Sequence, residues 1–218
     1  MKLVNLSKKY KNTVFESINY TFNQGNIYSV FGKNGVGKTT LLNIMSKFVE
    51  PDNGYIEYTK NENDIVFIGE DPIPFELLTG EEFIDTTLKF KRINTSKNII
   101  DKLFKDFEII DFKDTIIINY SKGMKFKLII ILIILINPKV LILDEPFTDV
   151  DLITIEKVKK IFYRIKINSL IIFSTHLPNI AFKLSNKILY LTNKRLIEIN
   201  NNFTTIEDMN NYIFQLMK

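Results

Sequence analysis

Three features of this 218-residue chain predict an α/β fold. Short β-like apolar runs alternate with helical stretches, the pattern of strands covered by helices. One run ends at Phe31, and a glycine-rich loop leads from it into a helical stretch from Lys38 to about Phe48. A second run, Val140-Leu141-Ile142-Leu143, ends in Asp144-Glu145-Pro146. Hydrophobic residues make up 45% of the chain, which allows a buried core and excludes general disorder.

Taken in order, Lys2 to Leu6, Val14 to Phe22 and Asn26 to Phe31 read as strands, with Gly25 turning the chain. Pro51 to Gly54 is a turn, and Gly54 to Tyr58 and Asp64 to Ile68 are two further strands. Residues 79–114 differ from their surroundings: they are helical in pattern and rich in charge and Phe, as an inserted helical subdomain would be. Thr79 and Glu82 form a T-x-x-E capping box at its start. A second α/β half follows. Leu170 to Ser174 is a strand, Lys187 to Ile199 is a hairpin turning at Asn193 and Lys194, and Thr205 with Asp208 caps a last helix. The unbroken apolar run Leu128 to Ile136 stays open between helix and strand, since periodicity is silent where every residue is apolar. As a helix it would cover only about 14 Å, and Lys125, Lys127 and Lys139 bracket it, so a core element is expected rather than a membrane span.

Composition excludes several classes of function. The formal charge of +4 leaves no polybasic arm for nucleic acid. Without cysteine there are no disulfides or thiolate metal sites, and one histidine excludes a His-rich metal centre. Nothing at the N-terminus reads as a secretory leader, so a cytoplasmic location is expected. Glycine is scarce, eight residues in all, yet Gly32, Gly35 and Gly37 fall together and Gly123 is the only one after Gly80.

The loop Gly32-Lys33-Asn34-Gly35-Val36-Gly37-Lys38-Thr39 fits the phosphate-binding pattern G-x-x-x-x-G-K-[ST], between a strand and a helix as that motif requires. Glycines let backbone N–H groups turn inward around phosphate oxygens, and the helix that follows aims its N-terminus at the same anion. Lys38 would neutralise β- and γ-phosphate charge, the Thr39 hydroxyl would ligate Mg²⁺, and Thr40 completes the phosphate-facing turn. The apolar strand ending in Asp144-Glu145 is the partner motif, Walker B: Asp144 to hold Mg²⁺, Glu145 as candidate general base for the attacking water.

Further marks resemble those of the ATP-binding subunits of ABC transporters. Tyr120-Ser121-Lys122-Gly123-Met124-Lys125 resembles the signature usually written L-S-G-G-Q, ahead of the Walker B strand. Tyr10 matches the aromatic residue that stacks on adenine, Glu70 the Q-loop position, Asp151 the D-loop aspartate and His176 the switch histidine. The alignment of Glu70 can also slip to Asp71, and Ser121 reads equally well as a plain helix cap.

The resemblance implies a P-loop NTPase with a RecA-like mixed core at approximately 1–70 and 120–218, an N-terminal antiparallel β subdomain and a helical subdomain at 71–119. It implies ATP and Mg²⁺ as cofactors, with Glu70 joining Thr39 and Asp144 near the metal. Two such subunits, homo- or heterodimeric, would pack head to tail around two ATP, the Ser121, Lys122, Gly123 and Met124 of one facing the P-loop of the other. They would drive a separate transmembrane subunit from the inner face of the cell membrane. Lys122, Met124 and Glu70 depart from the usual Gly, Gln and Gln, and Thr148-Asp149-Val150-Asp151 from the usual small-residue D-loop. The Gly69-Glu70-Asp71-Pro72 and Tyr-Ser-x-Gly-Met patterns look most like the ABC-2 exporter subgroup, which implies outward transport of a peptide, antimicrobial or drug. The rival readings are a soluble ABC-type ATPase acting on translation or DNA, and a P-loop small-molecule kinase. A GTPase is disfavoured because Asn193-Lys194-Arg195-Leu196 lacks the Asp of N-K-x-D.

Overall fold

The computed structural model describes residues 1–58, 64–69, 73–148, 150–192 and 194–216. The chain divides into two compact units: Met1–Glu70 with Lys139–Phe147 and Phe162–Lys218, and Asp71–Pro138 with Thr148–Ile161.

In the first unit, β1 (Lys2–Lys9), β2 (Thr13–Thr21) and β4 (Asn53–Glu57) form an antiparallel sheet in the order β2-β1-β4. The central sheet is mixed. It runs β5 (Ile65–Ile68), β6 (Val140–Leu143), β7 (Leu170–Thr175), β3 (Ile27–Phe31), β8 (Lys187–Thr192) and β9 (Arg195–Asn200), parallel except for the antiparallel β8–β9 hairpin. The strands β3, β6 and β7 are buried along their whole length, which is why they read as unbroken apolar runs rather than alternating ones. At the hairpin turn Lys194 takes φ +66°; Asn193 lies outside the described residues. Helix α1 (Lys38–Met45) contributes Leu41, Leu42 and Met45 to a core shared with Leu3, Leu6, Phe15, Val30, Ile142, Ile172 and Leu189. A second cluster joins Ala181 of α6 (Pro178–Leu184) and Met209 and Ile213 of α7 (Ile206–Leu216) to Ile188 and Tyr190. The cap expected at Thr205 is present: its hydroxyl accepts from the Asp208 N–H at 3.1 Å, and the Asp208 carboxylate accepts from the Thr205 N–H at 3.1 Å.

Gly54 holds the edge of the antiparallel sheet with φ +81°, and a Cβ there would lie 2.3 Å from the Val4 carbonyl oxygen and 2.4 Å from that of Asn5. Both obstacles are backbone. Gly54→Ala is therefore expected to cost more than about 1 kcal/mol, read as a lowered melting temperature with the nucleotide site untouched.

The second unit contains α2 (Gly80–Phe90), α3 (Lys97–Asp106), two short 3₁₀ turns (Ile110–Phe112 and Ile117–Asn119), α4 (Lys122–Ile136) and the greater part of α5 (Leu152–Ile165). The helical stretch read at 71–119 lies within it, and the unit takes in 120–138 and 148–161 besides, because α4 packs on α2 and α3. The capping box is complete, the Thr79 hydroxyl accepting from the Glu82 N–H and the Glu82 carboxylate from the Thr79 N–H. The open segment Leu128 to Ile136 is helix. Ser121 caps its start, Asn137 in the left-handed conformation ends it before Pro138, and Leu128 to Ile133 are all buried. Tertiary burial outweighs the strand preference of its isoleucines. No helix among the described residues is long and apolar enough to cross a membrane.

Candidate functional site

Neighbouring parallel strands deliver the chemistry-bearing residues. In the central sheet β6, β7 and β3 lie side by side, with Leu143 opposite Phe173 and Phe31 opposite Thr175. The glycine-rich loop after β3, Asp144-Glu145 after β6 and Ser174-Thr175-His176 at the end of β7 thus emerge at one edge, the carboxyl ends, where open α/β sheets bind their ligands.

The loop is built for an anion. Gly37, with φ +107°, precedes α1 and provides no side-chain cap, and the first turn of the helix carries no acidic residue. The first intrahelical bond runs from the Leu41 N–H to the Gly37 carbonyl at 2.9 Å, so the amides of Lys38, Thr39 and Thr40 face the helix start with no carbonyl of their own helix. A Cβ at Gly37 would meet Val14 Cγ1 at 2.3 Å, and one at Gly32 would meet the Leu191 carbonyl oxygen at 2.6 Å, so both positions require glycine. Gly35, at φ +78°, has open space around it and needs glycine for its backbone alone. Lys33, Asn34, Gly35 and Thr39 are exposed, and Val36 and Thr40 half-buried.

The Lys38 ammonium is buried and donates to the carbonyls of Gly32 (3.0 Å) and Lys33 (3.3 Å), with Glu145 Oε1 at 3.1 Å. Those acceptors match its three N–H groups. The second oxygen of Glu145 lies 3.1 Å from His176 Nδ1. One carboxylate thus links the loop lysine to the histidine at the end of β7. Glu145 takes φ +45°, a costly conformation for a residue with a Cβ. Beside it Asp144 is buried, its N–H donating to the Ile68 carbonyl at 2.9 Å and its Oδ1 accepting from the Ser174 hydroxyl at 2.5 Å. Thr39 and Asp144 offer a hydroxyl and a carboxylate, the small protein share that suits Mg²⁺ when a nucleotide's phosphates and water complete its shell.

The remaining expected residues fall as follows. Tyr10 is exposed, with the Lys8 ammonium 5.4 Å from its ring centroid. Glu70 lies outside the described residues, as does Asp71. Ser121, Lys122, Gly123, Met124 and Asp151 belong to the second unit. Ser121 is the N-cap of α4, its hydroxyl accepting from the Met124 N–H at 3.2 Å. Asp151 accepts from the Thr154 N–H (2.9 Å) and hydroxyl (2.7 Å) at the start of α5, and these bonds hold its carboxyl below the usual range. One residue that the motifs pass over is Ser174, which contacts both acids of the β6 turn.

A phosphate-binding loop, a lysine held in it and an acidic pair on the neighbouring strand define a nucleoside-triphosphate-hydrolysing domain. The sequence model of the ABC transporter family matches residues 15–148, and the chain belongs to that family; it is an ABC-type ATPase. It is similar to an ABC transporter ATP-binding protein of Methanocaldococcus jannaschii, at 29% identity over 96% of this chain and 79% of that one. It is also similar to a bacitracin transport ATP-binding protein of Enterococcus faecalis, at 33% over 71% of this chain and 53% of that one. A probable sulfate/thiosulfate import ATP-binding protein of Chlorella vulgaris is 26% identical over 89% of this chain and 88% of its own length. The chain spans only 27% of the length of an ABC transporter A family member of Dictyostelium discoideum, 27% identical to it. Among solved structures, a bacterial ABC transporter cassette in dimeric form superposes with a TM-score of 0.79, at 24% identity and covering 93% of this chain and 99% of that one, which shows the shared fold.

Proposed function

We propose that this ATPase is the energising subunit of an ABC exporter, working from the inner face of the cell membrane on a separate transmembrane subunit, with a peptide, antimicrobial or drug as cargo. The observation that supports the catalytic part is the Lys38–Glu145–His176 chain of contacts at the loop, in which one carboxylate meets both the loop lysine and the histidine, as a base beside bound phosphate would. In this reading the loop amides and Lys38 bind the β- and γ-phosphates, and Glu145 takes a proton from the attacking water. His176 holds Glu145 and the γ-phosphate in register, and Tyr10 stacks on the adenine. Thr39 and Asp144, together with Glu70, would hold Mg²⁺, which would supply charge neutralisation at the phosphates.

The signature residues Ser121 to Met124 are proposed to close on the γ-phosphate bound to a second subunit, alongside that subunit's Asp151 loop. ATP would then belong to the dimer interface and favour closure by mass action, and hydrolysis would reopen it. The dimeric form of the structurally similar cassette supports this reading. Gly123 tests it cleanly. A Cβ there meets only Ser121 Oγ, at 3.9 Å, so a side chain fits, and an acid in the first turn of α4 favours the helix. Gly123→Asp is expected to fold and bind ATP as before but to show no ATP-induced dimer by size exclusion; a closed dimer would contradict the signature assignment.

For the membrane partner, the second unit offers an apolar surface. Phe75, Leu77, Ile116 and Ile118 are exposed, and the two stretches are joined by bonds from the Ile118 N–H to the Glu76 carbonyl (2.8 Å) and from the Ile117 N–H to that of Leu78 (2.9 Å). Exposed groups of this kind mark interaction sites. The bacitracin-transport relative favours antimicrobial cargo, while the sulfate-import relative marks the alternative of uptake. Affinity purification from detergent-solubilised membranes is expected to recover a partner with several spans of about 20 apolar residues. Co-expression with that partner should raise tolerance to peptide antibiotics. Recovery of ribosomes or DNA instead would contradict the exporter reading.

A further inference from the structure

We propose that Ser174 is a positioning residue for ATP hydrolysis, holding Asp144 and Glu145 in a fixed mutual arrangement through its one hydroxyl. The sheet register makes this contact. Leu143 pairs with Phe173, so the next residues along, Asp144 and Ser174, come side by side at the strand ends. The hydroxyl donates to Asp144 Oδ1 at 2.5 Å and accepts the Glu145 N–H at 2.7 Å. Its only proton is committed to Asp144, so its rotamer is set, and one of its two lone pairs accepts the Glu145 N–H. Ser174 is fully buried, which leaves no solvent to replace either bond.

The next hydroxyl along the strand behaves differently. Thr175 Oγ1 accepts from the Leu177 N–H two residues on, a local turn bond of the ordinary kind. Ser174 instead reaches across to the neighbouring strand and touches both members of an acidic pair. Two consequences follow. Asp144 has one oxygen occupied by the Ser174 hydroxyl, so the other would be the one to hold Mg²⁺ through its water. Glu145 is pinned by its amide in the left-handed backbone conformation, φ +45°, that accompanies its contacts with Lys38 and His176. Groups that orient a metal ligand or a base from behind act through it, and their loss costs about 10- to 100-fold in metal affinity or turnover.

This inference rests on the assignment of Asp144 to metal and Glu145 to water. Its test uses two pairs of variants of the whole chain: wild type against Ser174→Ala, and Ser174→Thr against Ser174→Val, which are alike in shape and differ in the hydroxyl. Mn²⁺ affinity of the ADP complex is read by electron paramagnetic resonance, ADP affinity in EDTA by titration, and kcat by phosphate release. In each pair the variant without the hydroxyl is expected to bind Mn²⁺ about tenfold more weakly and to lose about tenfold in kcat, with metal-free ADP affinity nearly level and the melting temperature lowered by a few degrees, since Asp144 and the Glu145 N–H each lose a hydrogen bond. If Thr and Val agree in Mn²⁺ affinity and kcat, or if metal-free ADP affinity falls in step with them, Ser174 is merely a packed strand residue. The Mn²⁺ measurement needs neither turnover nor a membrane partner, so failure of the exporter reading would leave its outcome intact.

Discussion

Glu145→Gln is expected to lower ATP turnover by about two to three orders of magnitude while leaving nucleotide binding intact. The substitution keeps the size of the side chain. Its amide oxygen can still accept from Lys38, now 3.1 Å from Glu145 Oε1, and the amide can still face His176 Nδ1, so the local packing survives. What it removes is basicity, and with it the group that would take a proton from water. It also removes a negative charge next to the phosphate loop, so ATP affinity should hold or rise. Phosphate release and equilibrium nucleotide titration on the same preparation separate the two effects. Turnover near that of wild type would sink the general-base role.

Lys38→Ala should act in the opposite sense, on binding. The ammonium is buried and converges with Gly32, Lys33 and Glu145 at the mouth of the loop. A charge-assisted hydrogen bond to phosphate contributes up to about 3 kcal/mol, so affinity for ATP should fall about 100-fold. The substitution also removes the ammonium beside the partly buried Glu145 carboxylate, and the destabilisation that follows is read as a lower melting temperature. An affinity within threefold of wild type would mean that the loop binds no phosphate through Lys38.

Much of this site was legible because its chemistry is local in sequence. The loop from Gly32 to Thr39 carries its own strand and helix context, and Asp144-Glu145 announce themselves at the end of four apolar residues. The capping box at Thr79 and the β8–β9 hairpin were likewise written in neighbouring residues. Features made by distant residues were not. Ser174 is an ordinary strand serine until the register of β6 against β7 sets it beside Asp144. Helix α6 is seven residues long and opens with Pro178, a residue that reads as a breaker but is tolerated in the first turn. Helix α5 buries Ile155, Val158, Phe162 and Ile165 at helical spacing, yet its opening Leu-Ile-Thr-Ile is rich in β-branched residues that weaken the helical signal. The isoleucine run of α4 had no period to read, and only burial on α2 and α3 resolves it.

The most direct test of the ATP-driven cycle is the mass of Glu145→Gln in solution, measured by light scattering after size exclusion, with Mg²⁺–ATP and with Mg²⁺–ADP. A doubling of mass with ATP and a single chain with ADP is the expected result. A single chain at saturating ATP, with nucleotide demonstrably bound, would contradict a site completed by a second subunit.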